Sequence, residues 1–330
     1  MSLADAFHGR NVLVTGGLGF LGSNLAIKLA RYDANVTILD SLIPQFGGSF
    51  FNISPVRNQV VVNISDMRDP NSLDILAQDK DYIFNLAGQV SHGDSMRDPQ
   101  LDLRVNCVST MNLVEACRKH NPGVRMLYTS TRQVYGRPQK LPVAEDHPTV
   151  PIDVNGINKL AAEYYHLLYH ATYGVRSTVL RLTNTFGPRQ QIRSNRQGFA
   201  AIFLRQALSG ETISLYGGGG QVRDFNYVDD VVTAMLLAVT NEACMGQIFN
   251  LGSKRPYSLL QFVDLLGRFC TFQVESVPFP ADNKIIDIGD YYGDFSKFHA
   301  LTGWQPAVEL EEGLERTVAF YREHKEIYWQ

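Results

Sequence analysis

Residues 11–22 read NVLVTGGLGFLG, and the fold turns on this stretch. Asn11 to Thr15 form a short apolar run, and glycines follow at once. Gly16, Gly19 and Gly22 stand at three-residue steps, and from Phe20 to Arg31 apolar residues recur at helical spacing (Leu21, Leu25, Ile27, Leu29). The order is strand, glycine turn, helix. Glycines permit a tight turn and close backbone approach. The helix N-terminus offers N–H groups and the positive end of its dipole, so a pyrophosphate is the expected occupant, with Phe20 and Leu21 beside it. A second strand, Val36 to Leu39, ends at Asp40, 18 residues beyond Gly22. A carboxylate there accepts hydrogen bonds from both ribose hydroxyls and repels a 2′-phosphate. No Arg or Lys occupies positions 41–43, so the pattern points to NAD rather than NADP. Asp66 and Met67, just past a third strand, are candidates for the adenine edge.

Outward from this turn, strand-like runs recur at Val60 to Val62, Tyr82 to Leu86, Met126 to Thr129 and Ser177 to Leu182. Helical segments separate them at Asn71–Gln78, Leu101–His120 and Ile157–Tyr173. Near-continuous apolar strands alternating with helices predict an α/β fold, a doubly wound parallel sheet of Rossmann type. A single core rarely grows past ~250–300 residues, so 330 residues predict a smaller C-terminal substrate-binding lobe as well. The division falls near 1–182 for the NAD domain and 183–330 for the interleaved lobe. That lobe shows a glycine turn at Gly217–Gly220 and helices near Val228–Val239, Leu259–Phe269 and Leu310–His324.

Thirty basic and 33 acidic residues leave a net charge of −3, which argues against nucleic acid as a partner. Four cysteines (Cys107, Cys117, Cys244, Cys270) lack metal-site spacing and read as reduced, mostly buried thiols. The opening MSLADAFHGR has no apolar signal core, and the apolar stretch Val231 to Val239 is too short to span a bilayer. A cytoplasmic protein that does not enter membranes is expected.

Further motifs follow in order: NLAG at 85–88, TSTRQVYG at 129–136, NGINKLAAE at 155–163, RLTNTFGPRQ at 181–190, RDFNYVDD at 223–230, FNLGS at 249–253 and GWQP at 303–306. With TGGLGFLG at 15–22, they make the sequence resemble the extended short-chain dehydrogenase/reductase family over nearly its whole length. Within it, the likeness is to nucleoside-diphosphate-sugar epimerases and dehydratases of the UDP-glucose 4-epimerase kind. The resemblance implies that Leu86, Ala87, Gly88, Lys159 and Leu182 also touch the cofactor. Lys159 would bind the nicotinamide ribose, and Thr131 would be the hydroxyl that assists proton transfer.

Two positions depart from the family. Four residues before Lys159, where the family's YxxxK motif has its base, stands Asn155, and an amide takes no proton near neutral pH. The acidic pair that dehydratases carry after the Thr is replaced by Arg132 and Gln133, which disfavours dehydration; decarboxylation of a uronic acid is disfavoured too. His92, in QVSHGDS, is the preferred replacement base, because histidine titrates near neutral pH. Asp153 is the alternative, or else the cap of the helix that carries Lys159. A bound water held by Thr131 and Asn155 is the third.

On the substrate side, the resemblance assigns Asn184 and Arg223 to the diphosphate and Tyr216 to the nucleotide base. The alternatives are a surface Arg223 paired with Asp224 and a Tyr216 that is plain core. The second diphosphate Arg expected before GWxP is missing, and Lys284 is the nearest substitute. Helices Leu101–His120 and Ile157–Tyr173, with Val105, Val108, Leu113, Leu160 and Leu168, are expected to form a homodimer. Three readings stand: an NAD-dependent epimerase of a nucleoside-diphosphate sugar, with a UDP-sugar first; a dehydratase or oxidoreductase with an unusual base; and a non-catalytic protein that binds NAD and a sugar nucleotide.

Overall fold

The computed structural model describes residues 2–193, 198–280 and 284–329. Its centre is a seven-stranded sheet. Six strands come in chain order: β1 (Asn11–Thr15), β2 (Asn35–Asp40), β3 (Val61–Ile64), β4 (Tyr82–Asn85), β5 (Arg125–Thr131) and β6 (Arg176–Leu182). In space the order is Ile248–Asn250, β6, β5, β4, β1, β2, β3, with every pairing parallel. Alternation along the strands sorts the core into two layers. Val12 and Val14 join the helices Phe20–Ala30 and Val228–Thr240 on one face. Leu13, Ile83 and Met126 meet Pro70–Leu76 and Ser109–His120 on the other. Strand order reverses between β1 and β4, so a crevice opens beyond their carboxyl ends.

Several elements escape sequence reading. The three-residue strand Ile248–Asn250 returns the second half of the chain to the sheet beside β6. Helix Phe199–Ser209 and the parallel pair Ile213–Tyr216 with Val274–Val277 build the second lobe. The expected helix Leu101–His120 is not uniform: residues Leu103–Val108 take a π-helical turn between Pro99–Asp102 and Ser109–His120. In that turn, the Asn106 amide clamps Gln89 from both sides, accepting from its N–H and donating to its carbonyl, each at 3.1 Å. Such turns often occur beside functional sites. All four cysteines are buried, as expected. Among the described residues, no helix is long and apolar enough to cross a membrane.

Candidate active site

A cleft of about 890 Å³ lies at the carboxyl ends of the strands, between sheet and second lobe. Its floor is the glycine turn. Gly16 has φ +67°, and a Cβ there would stand 2.9 Å from the Ala87 Cα; a Cβ on Gly22 would run into the Gly16 carbonyl oxygen. Gly19 begins the helix Phe20–Ala30 with no side chain capping it. The turn is therefore a backbone cradle at a helix N-terminus, which suits a dinucleotide's pyrophosphate. Asp40 ends β2 at the cleft and accepts from the N–H groups of Leu18 (3.0 Å) and Leu42 (2.9 Å). Burial pushes its pKa up, and those two bonds oppose the rise. Asp66 and Met67 line the same wall, with Asp66 held by the Arg68 guanidinium. Leu86 and Ala87 donate to the Thr15 hydroxyl at 3.0 and 3.1 Å, which fixes the bend that follows β4.

Lys159 reaches the cleft from helix Val154–Tyr173. Its ammonium donates to the Thr129 carbonyl at 3.1 Å and lies 5.0 Å from the Tyr128 ring centroid. Gly88 gives it room, since a Cβ there would stand 3.2 Å from Nζ. Burial pulls the Lys159 pKa down to about 8, against the attraction of Asp102 and Glu163. Thr131 closes β5, and its hydroxyl accepts from the Gln133 N–H at 3.2 Å.

Asn155 borders the cleft, but its amide is committed elsewhere. It donates to the Gln89 carbonyl at 2.9 Å and to Asp102 at 3.3 Å, while Asn158 donates to the other Asp102 oxygen at 2.7 Å. The short side chain thus ties its amide nitrogen into a buried polar network at the edge of the cleft. Opposite it, His92 Nδ1 lies 3.0 Å from Asp153 Oδ2, and Gln133 donates to the same oxygen at 2.8 Å. Asp153 also caps helix Val154–Tyr173, accepting from the Gly156 N–H at 2.6 Å. Burial would raise the Asp153 pKa, yet His92 and the N–H donors outweigh it and the net shift is downward. The two alternatives for a base are thus partners in one pair.

A model of the family described as NAD dependent epimerase/dehydratase matches residues 12–252. The chain belongs to this family. It is 34% identical to the UDP-glucose 4-epimerase of Mycolicibacterium smegmatis, over 94% of this chain and 98% of that one. With a putative UDP-glucose 4-epimerase of Methanocaldococcus jannaschii it shares 32% identity, over 93% and 97%. The crystal structure of a Thermotoga maritima UDP-glucose 4-epimerase with UDP-glucose superposes with a TM-score of 0.87 at 32% identity, covering 96% of this chain and 99% of that one. The chain is an enzyme of this epimerase/dehydratase family, and its cofactor is NAD.

In this epimerase/dehydratase family member, Leu182, Asn184, Tyr216 and Arg223 all line the cleft. Asn184 donates to the Asp224 carbonyl at 2.8 Å. Arg223 is buried and pairs with Asp287 at 3.1 Å, not with Asp224. The Asp224 carboxyl accepts instead from the Thr183 hydroxyl and the Gly293 N–H, and burial pushes its pKa up to about 6. Tyr216 is 37% exposed, so it is not core; its ring centroid lies 5.5 Å from that of Phe279. Lys284 is exposed and does not line the cleft wall. Gln133 was set aside in the sequence because it cannot shuttle protons; its positioning of Asp153 needed the fold. Phe279 lies in a segment without any motif, and nothing local marks it.

Proposed function

We propose that this chain epimerises a nucleoside-diphosphate sugar, a UDP-sugar first among them, with the His92–Asp153 pair replacing the missing tyrosine. The observation that carries this reading is the 3.0 Å contact between His92 Nδ1 and Asp153 Oδ2 at the wall shared with Thr131 and Lys159. A carboxylate on Nδ1 fixes the tautomer with Nδ1–H donating to Asp153, so Nε2 is left as the proton acceptor. NAD, when bound, supplies a reversible hydride acceptor. His92 removes the proton from the sugar hydroxyl and returns it after the keto sugar has turned its other face. The Thr131 hydroxyl holds the reacting oxygen, and the Lys159 ammonium holds the cofactor ribose while adding positive charge beside the developing oxyanion. Asn184 and Arg223 face the diphosphate, and the Tyr216–Phe279 pair faces the base.

Replacing His92 with Asn tests this. Turnover on UDP-glucose and related UDP-sugars is expected to drop by ~100-fold or more with NAD still bound. Asp153→Asn should also slow the reaction and shift the acid limb of its pH profile. If His92→Asn keeps full activity, His92 is not the base. If the unaltered protein binds NAD and sugar nucleotide without turnover, the binding-protein reading replaces this one.

We also propose a homodimer. Ile157, Tyr164 and Leu168 are 53%, 60% and 54% exposed and recur along one stripe of helix Val154–Tyr173. Val105 and Val108 are half-buried, whereas Leu113 belongs to the core and leaves the expected interface set.

A further inference from the structure

Arg132 follows Thr131 directly and lines the cleft. Its Nε is buried without a hydrogen-bond partner, and among the described residues no carboxylate lies within ion-pairing distance of its guanidinium. Among the described residues it lies over the Tyr291 ring, whose centroid is 5.8 Å from Cζ. A buried guanidinium with so few partners is costly unless a ligand completes it. Burial, helped by the neighbouring charge of Arg223 and opposed by Asp224 and Asp287, lowers the Arg132 pKa to about 10.

Arg223 is the second half of the arrangement. Its guanidinium donates to the carbonyls of Val222 (2.9 Å) and Gly289 (2.5 Å) and to Asp287 (3.1 Å), yet its Nε is also buried and unpartnered. Arg223 pairs across a β-bridge with Tyr291, the residue under Arg132, so the two cations share one wall. Asp287 offsets one of them. Asp224 lies near both, and although burial pushes its carboxyl up to about 6 it is largely ionised at neutral pH and offsets charge as well. What the wall is left with is unfilled donors, the buried Nε of each arginine, and the segment 271–301 supplies no arginine of its own.

We infer that Arg132 and Arg223 form a two-guanidinium subsite for an oxyanion of the bound sugar nucleotide, with Arg132 supplying the donor fork that residues 271–301 lack. The open fork of Arg132 beside the unpartnered Nε of Arg223 suits either a phosphate of the diphosphate or a carboxylate carried by the sugar. The assignment rests on the proposed sugar-nucleotide reading. It adds a specificity-determining residue at a position where related dehydratases place an acid.

The test is calorimetric titration of the NAD-loaded protein with UDP, UDP-glucose and UDP-glucuronic acid. The unaltered chain is compared with Arg132→Ala and with Arg132→Gln, which keeps most of the packing on Tyr291. Removing the guanidinium is expected to weaken binding by about tenfold or more. An equal loss for all three ligands identifies a phosphate as the anion. A loss confined to UDP-glucuronic acid identifies a sugar carboxylate. Affinities within twofold of the parent for all three ligands in both variants overturn the subsite and leave the functional reading intact. Failure of the unaltered protein to bind UDP, dTDP, CDP or GDP, alone or carrying a sugar, overturns the functional reading and the subsite with it.

Discussion

Lys159 shows how the role proposed for a residue can be opposed by folding. Its ammonium is stripped of water, and burial draws its pKa down to about 8. Between that value and the higher pKa of an exposed lysine, the unfolded chain holds a proton that the folded chain has lost. Stability from this group therefore rises with pH across that window, and the full cost is felt below about 8. Without ligand, Lys159→Met should melt higher than the parent near pH 7, by an amount equivalent to ~2 kcal/mol after the bond to the Thr129 carbonyl is discounted. Its margin should shrink towards pH 10. Calorimetry across that range checks the sign, and a margin that does not change with pH would refute it. Turnover should meanwhile fall on the alkaline side of about 8, as the charge at the cofactor ribose is lost. That Lys159 and Thr131 line the cleft was legible from the family resemblance, because each sits at a fixed offset within a local motif. The contact of His92 with Asp153 was not, since 61 positions separate them and only the packing of the Gln89 loop against helix Val154–Tyr173 brings them together.

The glycine turn is the element proposed to hold the cofactor, and its three glycines are not equivalent. Gly19 has open space except for the Gly16 oxygen at 3.2 Å, whereas Gly22 packs straight onto the Gly16 and Gly17 backbone. Adding one methyl group at Gly22 must therefore push the helix Phe20–Ala30 off β1. Gly22→Ala is expected to lose NAD during purification and to melt lower than the parent, read by absorbance and by calorimetry; Gly19→Ala should do less of either. Retention of NAD by Gly22→Ala would show that the turn relaxes at small cost. This element was readable because strand, turn and helix are contiguous and each obeys its own periodicity. The strand Ile248–Asn250 and the π turn Leu103–Val108 obey none. Three residues are too few to show alternation, and the π turn is fixed by the bonds of Asn106 to Gln89, a tertiary contact.

At the scale of the whole molecule, helix Val154–Tyr173 has two faces with separate duties. One buries Asn155, Asn158, Lys159, Ala162 and His166 against the sheet and the cleft. The other turns Ile157, Tyr164 and Leu168 outward, over half exposed, with Leu103 of the neighbouring helical segment 37% exposed. Large apolar side chains recurring on one stripe of a helix are costly to leave in water, and pairing the stripe with its own copy around a twofold axis covers both at once. In that arrangement the helix that holds Lys159 and the cap Asp153 is braced from outside, so assembly would stiffen the cleft. A double substitution, Tyr164→Glu with Leu168→Glu, changes only exposed positions and leaves the inward face untouched. Light scattering after size exclusion should show the parent as a dimer and the variant as a monomer that still carries NAD, with turnover reduced because the brace is gone. A monomeric parent would refute the assembly, while leaving the cleft and its His92–Asp153 pair as they stand.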